Sequence, residues 1–389
     1  MTRIIAVLQV LALALFASVH AQSQETRSPI IIGEGIRQPS DIMGEDRVVI
    51  IGTPQGYERT DQRYPVLYLL DGGLHYQHTT AITQFLGANL YMPQMIVVAI
   101  NSPDRVRDLT PKSSDPDEIE RYPTHGGFET FQRYLKEELI PWVEGNYRTH
   151  PYRILIGHSF GGLFAVQSLI AEPGLFDAYV AISPSMHWDT QALVAGAENF
   201  LERTETLPAT FYMSAGNEGR ESLGGMRKLA AMFDEKSPQG FVWTFEHMPL
   251  ESHGSISLKS IYNGLEFVFQ DWSLRNPYEI YKKFGVDAIE IFHINGQERY
   301  GIERSLPITT FATLLGDAIY RNNLDGAIEI MDRFYTSVNP PVSYVEFLAN
   351  ALRDKGRREA ATRYYREILS REPNNQNAKQ TLMDWGEDL

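Results

Sequence analysis

Ser159 lies between two glycines, in Gly157-His158-Ser159-Phe160-Gly161. An apolar run, Ile154-Leu155-Ile156, precedes it, and a second, Leu163-Phe164-Ala165-Val166, follows. Gly-x-Ser-x-Gly between a strand and a helix is the spacing of a nucleophile elbow, a tight turn that presents a serine hydroxyl to substrate. Glycines flank such a turn because side chains there would clash. A serine attacks a carbonyl carbon only with help. It needs a base to take its proton, an acid to orient that base, and N–H donors for the oxygen that becomes negative.

Four histidines follow the serine: His187, His247, His253 and His293. His253 sits in "LESHGSIS", a polar turn between a strand pattern and a helix pattern, and is the expected base. His247 falls inside a strand pattern, His187 follows "SPSM" and could border the site, and His293 lies beyond the sheet region. The acid should end a strand between serine and histidine. "FYMSAGNEGRES" supplies Glu218, with Glu221 as the alternative, while Glu251 is too close to His253 in sequence. The order Ser159, Glu218, His253 is that of α/β-hydrolases. Phe160 follows the nucleophile, so its N–H is the first expected oxyanion donor. The second should come from Gly72, Gly73 or Leu74, after the strand "VLYLLDGG", with Gly73 as the working choice. His158 reads as a packing residue rather than a second base. Arg105 and Arg107, in "NSPDRVRDLTP", follow a strand end. They could hold an anionic or catechol substrate, or form a network with Asp104 and Asp108 that shapes the loop.

These residues need a frame. "YPVLYLLDGG", "QMIVVAIN", "YRILIGH", "AYVAISPS", "ATFYMSAG" and "FVWTFEHMPL" read as strands. "FETFQRYLKEELIPWVEGNY" is an amphipathic helix, with Phe128, Phe131, Leu135 and Leu139 at helical spacing. "RSPIIIG" and "DRVVIIGTP" look like early antiparallel strands. Strands alternating with helices over residues 60–274 predict an α/β fold, a mainly parallel sheet with helices on both faces. In such sheets the active groups gather at the carboxyl ends of the strands, where every candidate above falls.

The 389 residues suffice for one large domain and an appendage. The net charge of −14 argues against a nucleic-acid or anionic-membrane binder. Arg3, the apolar stretch Ile4–Val19 and the ending Val19-His20-Ala21 match a secretory signal peptide, residues 1–21. The expected address is periplasmic or secreted. The mature chain has no apolar stretch long enough to span a membrane. Cysteine is absent, which rules out disulfides and a thiol nucleophile. No HExxH or phosphate-binding glycine loop follows a strand, so no metal and no cofactor are expected.

The C-terminal part is different in kind. Residues 28–274 form the expected catalytic domain, 275–310 a linker, and 311–389 an all-helical region. Ala327, Met331, Phe334 and Asn339 recur 34 residues later as Ala361, Tyr365, Ile368 and Pro373. That period resembles tetratricopeptide (TPR) repeats. Two units are too few for a free solenoid, so a TPR-like appendage packed on the catalytic domain is expected, with a protein partner as its second possible use.

Taken together, "YLLDGG", "NSPDRVRDLTP", "RILIGHSFGGLFA", "LFDAYVAISPSMHWD", "SAGNEG" and "LESHGSI" resemble the putative-esterase, or esterase D-like, family of α/β-hydrolases. The resemblance covers about residues 28–272 and is greatest to its siderophore-esterase branch. It implies cofactor-free serine hydrolysis of a small-molecule carboxylic ester, with Ser159 as nucleophile and His253 as its histidine. Some members of that branch work with a serine–histidine dyad, so the acid is Glu218, Glu221 or absent. Feruloyl, acetyl or thioester substrates are the alternative, and a vestigial hydrolase that binds a partner through its tail is the second.

Overall fold

Apolar runs without polar alternation must be covered on both faces, and here they form the inner strands of an eight-stranded sheet. The computed structural model describes residues 28–303 and 305–388. The leader-like residues 1–21 lie outside them. The strands are β1 (Glu34–Ser40), β2 (Glu45–Gly52), β3 (Tyr64–Leu69), β4 (Ile96–Asn101), β5 (Thr149–His158), β6 (Ala178–Ile182), β7 (Thr210–Ala215) and β8 (Val242–His247). Their spatial order is β1-β2-β4-β3-β5-β6-β7-β8. From β4 to β8 every neighbour is parallel, and β1 and β2 add an antiparallel edge. The first strand begins after the expected "RSPIIIG", because residues 28–33 carry no strand. The pairing starts at Glu34 opposite Ile51. Beyond Gly52 the partner strand runs into Pro54, which has no N–H to offer.

Side chains alternate across the inner strands. Leu67, Leu69, Val97, Ala99, Ile154, Ile156 and Val180 face α1 (Gly72–Ala88) and, eight helices on, the last helix of the sheet domain, Ile256–Val268. Val66, Tyr68, Val98, Leu155, Tyr179 and Ala181 face the opposite layer. Two short helices, α2 (Arg105–Leu109) and α3 (Pro116–Arg121), follow β4. The opposite layer is then built from α4 (Phe128–Tyr134), α5 (Ile140–Asn146), α6 (Phe160–Ala171), α7 (Trp188–Arg203) and α8 (Arg220–Glu235). The helix Ile256–Val268 is α9. Each large apolar side chain removed from water contributes about 1.5–3 kcal/mol. A chain without cysteine holds this sheet by that means. Phe128, Phe131, Leu135 and Leu139 are all buried, as helical spacing requires. Their helix is not uniform, however. A π-helical turn, Leu135–Leu139, joins α4 to α5 just before Pro141. A proline clashes with the carbonyl four residues back, and the wider turn relieves that clash.

Residues 275–310, expected as a linker, are largely helical: α10 (Pro277–Phe284) and α11 (Val286–Tyr300) turn at Gly285, whose φ is +82°. The correction has a packing reason. Tyr278, Tyr281, Val286 and Ile289 belong to the apolar core of the C-terminal region. The Tyr300 ring lies 5.6 Å from Tyr152, 5.2 Å from Phe269 and 5.9 Å from Trp272, inside the core under the sheet. The helices thus join the two cores, and residues 33–389 form one compact unit. Five further helices follow: α12 (Ile308–Tyr320), α13 (Leu324–Val338), α14 (Val342–Asp354), α15 (Arg358–Arg371) and α16 (Gln376–Asp384). α12 and α14 start 34 residues apart (342 − 308), as do α13 and α15 (358 − 324). Ala327, Met331 and Phe334 and their counterparts Ala361, Tyr365 and Ile368 are all buried. Among the described residues no helix is long and apolar enough to cross a membrane.

Candidate active site

β5 brings the chain to His158 at the sheet's carboxyl edge, and α6 carries it away from Phe160. Between them Ser159 has φ 61° and ψ −113°. A residue with a Cβ held there costs about 1–3 kcal/mol, the strain typical of a group kept for chemistry. The neighbours show why the glycines are needed. A Cβ on Gly157 would lie 2.1 Å from the Gly161 carbonyl oxygen, and one on Gly162 would lie 2.9 Å from the carbonyl oxygen of Ile182. The turn is tied to the next strand: Ser159 donates its N–H to Ile182 O (2.9 Å), and Ser185 donates its N–H to Ser159 O (3.2 Å). Phe160 opens α6, so its N–H has no acceptor within the helix.

The next two parallel strands deliver the base and the acid. Glu218 lies three residues past β7, and His253 lies in the loop between β8 and α9. The two loops are joined where Asn217 donates its N–H to Glu251 O (2.7 Å). Nδ1 of His253 stands 2.9 Å from Glu218 Oε2 and 3.1 Å from Oε1. An ionised carboxylate can only accept, so Nδ1 carries a proton, and in the neutral ring Nε2 is then the nitrogen with the lone pair. The Glu218 side chain is 7% exposed and the imidazole 46%. Burial pushes the Glu218 carboxyl up, but hydrogen bonds from His253, from Ser183 and from backbone together outweigh it and hold the group below its ordinary value. The acid is therefore charged at neutral pH.

Ser159, Glu218 and His253 line one open cavity of about 630 Å³, with Tyr122, Phe160, Ser185, His187, Gly219, Arg220, Glu221 and Ser222. The serine Oγ lies 3.4 Å from Ser185 Oγ. Catalytic contacts to a nucleophile tighten when substrate binds. Glu221 lines this cavity, but the carboxylate on His253 is that of Glu218. Glu251 is engaged elsewhere, with Lys259 and Ser255. His187 borders the cavity, while His247 ends β8 and is exposed.

Three expected residues are committed to other partners. Gly73 donates its N–H to Asn101 Oδ1 at 2.6 Å, which takes it away from an oxyanion at Ser159. Arg105 holds Asp71 through two hydrogen bonds (2.6 and 2.9 Å) and donates to His158 O (2.9 Å). Arg107 binds Glu45 (2.5 Å) and Asp108 (2.8 Å), and it holds the Glu45 carboxyl below its ordinary range. The fully buried Arg47 also binds Asp108, so Arg107 belongs to a network that shapes the loop. Neither arginine lines the cavity. The cation that does is Arg220, which forms no ion pair among the described residues. Sequence reasoning missed Arg220, Tyr122 and Ser185. Their signals were slight: Arg220 lies two residues from the acid, and Ser185 lies in "SPSM" after a strand. Among the described residues no group of three or more His, Cys, Asp or Glu could hold a metal ion.

Residues 40–219 match the model of the family described as "Putative esterase". The chain is 30% identical to the ferri-bacillibactin esterase BesA of Bacillus subtilis over 226 residues, 52% of this chain and 78% of that one. It is also 30% identical to the siderophore triacetylfusarinine C esterase of Aspergillus fumigatus, over 36% of this chain and 50% of the fungal one. In fold it is similar to an IroE-like serine hydrolase from Shewanella oneidensis, with TM-score 0.64 and 24% identity over 77% of this chain and 98% of the other. An uncharacterised protein from Capnocytophaga ochracea matches with TM-score 0.68 and 16% identity, over 87% of this chain and 93% of that one. That span exceeds residues 28–274, so this likeness in fold reaches into the helical region. An elbow serine at the carboxyl edge of a parallel sheet, with kinship extending over most of a bacillibactin esterase, leads to one assignment: the chain belongs to the "Putative esterase" family and is an ester-hydrolysing enzyme of the α/β-hydrolase fold.

Proposed function

We propose that this esterase is exported and cleaves siderophore-type carboxylic esters through an acyl-enzyme on Ser159. The observation that carries the mechanism is the 2.9 Å contact between Glu218 and His253 in the cavity that also holds the elbow serine. His253 Nε2 takes the proton from Ser159 Oγ as the oxygen bonds to the ester carbonyl carbon. The carbonyl oxygen becomes negative and accepts from the Phe160 N–H. The tetrahedral intermediate expels the alcohol, which leaves with the proton from His253, and the acyl group stays on Ser159. Water attacks the acyl-enzyme in the second half, giving up a proton to His253, and the acid leaves as His253 returns that proton to Ser159 Oγ. Glu218 holds the tautomer throughout and stabilises the imidazolium.

The substrate class rests on the siderophore esterases among the relatives. Arg220 supports it, as an unpaired cation on the cavity wall suited to an anionic ester. Export rests on the leader pattern of residues 1–21. The test is labelling of residues 22–389 with a fluorophosphonate, beside Ser159→Ala and His253→Ala. Labelling of the wild type that disappears in both variants is expected, followed by turnover of a siderophore trilactone above that of feruloyl and simple acyl esters. A folded wild type that does not label refutes the acyl-enzyme. Preference for feruloyl or acetyl esters refutes the substrate class.

A further inference from the structure

His158 takes no part in the steps above, yet it is the residue bonded to the nucleophile. Its side chain is almost fully buried, with 8% of the residue exposed. Its Nε2 lies 2.7 Å from the backbone carbonyl oxygen of His253, 95 residues away. A carbonyl oxygen only accepts, so Nε2 carries the proton and donates it. The two imidazole rings are in contact, with centroids 4.7 Å apart at 41°.

His253 needs such a hold. It sits in a polar loop with nearly half its side chain exposed. Glu218 fixes the ring from one end only. The loop backbone is fixed at Glu251 O by the N–H of Asn217, and at Ser252 by the Ile256 N–H and the Ser255 hydroxyl, up to the residue before the histidine. The His158 bond acts at His253 itself. Its other end is β5, paired with β3 and β6 in the middle of the sheet.

We infer that His158 is a positioning residue, whose Nε2–H pins the backbone of the catalytic histidine to the strand that carries the nucleophile. One residue thus joins both reacting groups, by a peptide bond to Ser159 and a hydrogen bond to His253. This rests on His253 being the base. The surroundings keep His158 neutral in this role. Burial, then the neighbouring His253 and His75, push its imidazole down to about 4. The groups around it are His253, His75 from α1 (centroids 5.5 Å apart), and Arg105, which donates to the His158 carbonyl oxygen and is itself paired with Asp71. A neutral ring does not repel the imidazolium that His253 becomes in each half-reaction, whereas a charged one would.

The test compares His158→Gln with His158→Met in the mature protein. Glutamine places an amide nitrogen near the position of histidine Nε2, and methionine has similar length and no donor. Turnover of a p-nitrophenyl ester is measured per site titrated with a fluorophosphonate, and folding is followed by circular dichroism. A misplacement of about 1 Å at a reacting group costs up to about 100-fold in rate. We expect His158→Met to lower kcat by about 10- to 100-fold with KM within about threefold, and His158→Gln to recover to within about fivefold of wild type. Wild-type kcat in His158→Met overturns the inference. So does equal loss in both folded variants, because the hydrogen bond would then not be the cause. Should the methionine variant not fold, folded His158→Gln that loses more than about 100-fold overturns it, and near-wild-type kcat upholds it. A His253→Ala variant that still labels like wild type would instead remove the base assignment, a separate failure.

Discussion

Gly157→Ala adds one methyl group, and its effect can be worked out from contacts alone. The new Cβ would lie 2.1 Å from the carbonyl oxygen of Gly161 and 2.3 Å from its carbonyl carbon. Ordinary contact at such atoms begins near 3.4 Å, so the two sides of the elbow must part by more than an ångström. Both sides are backbone, so no side chain can swing away to absorb the change. Ser159 lies between them and shifts by a comparable amount. Displacement of about 1 Å at a reacting group costs up to about 100-fold in rate, and overpacking costs about 1–3 kcal/mol in stability. The expected outcome is a folded protein with lowered melting temperature and kcat/KM for a p-nitrophenyl ester down about 100-fold. Gly145→Ala is the control, since a Cβ there meets nothing within 4 Å and the residue lies in α5. It should leave activity unchanged and melting equal or slightly higher. Gly157→Ala with kcat/KM within threefold of wild type, about the scatter of such assays, would refute the claim that this glycine spaces the elbow.

Three further outcomes follow from the site. Glu218→Gln should lower kcat by about 100- to 10,000-fold, because an amide can present its NH₂ to Nδ1 and favour the wrong tautomer, while Glu221→Gln stays near wild type; steady-state kinetics on both decide, and the reverse order would move the acid to Glu221. Acid should destabilise the fold before the carboxylates titrate. His75 and His158 are both pushed by burial from 6.5 to about 4. Between those values the unfolded chain binds more protons than the folded one, so stability falls as pH drops from about 6.5 towards 4, by roughly 3 kcal/mol per histidine at the limit. Urea unfolding across that range should show the loss, and His158→Gln should remove about half of it; a flat profile contradicts the burial argument. Arg220→Ala should raise KM for an anionic ester about 5- to 10-fold at low salt and leave a neutral ester unchanged, with the difference shrinking as salt is added. Equal effects on both esters would deny Arg220 a role in selecting charge.

Much of the architecture could be read from local pattern. Uninterrupted apolar runs mark the inner strands because only burial on both faces suits them. Gly157, Ser159 and Gly161 mark the elbow because the clash they avoid lies within five consecutive residues. The order Ser159, Glu218, His253 follows from strands that each end at the same edge. Helical spacing places Phe128, Phe131, Leu135 and Leu139 inward, although that spacing carries no mark of the π turn before Pro141.

The remaining features were decided by residues far apart in the chain. Arg105 and Arg107 read from sequence either as cations for a substrate or as partners of Asp104 and Asp108, but the fold also sets Asp71 and Glu45 beside them, 34 and 62 positions away. Asn101, at the end of β4, reaches the N–H of Gly73 because β3 and β4 are parallel neighbours. Glu218 and Glu221 are three residues apart, and only the path of the loop from Gly216 into α8 settles which one meets His253. Residues 275–310 fold as helices rather than as a linker because their buried side chains are shared between two cores, with Tyr300 under the sheet and Tyr278 and Tyr281 among the C-terminal helices. Sequence by itself determined which chemical groups lie at the edge of the sheet, because strand and turn preferences act over a few neighbouring residues. The tertiary structure alone decided which of those groups touch, because each contact depends on the register of strands and loops that are distant in the chain.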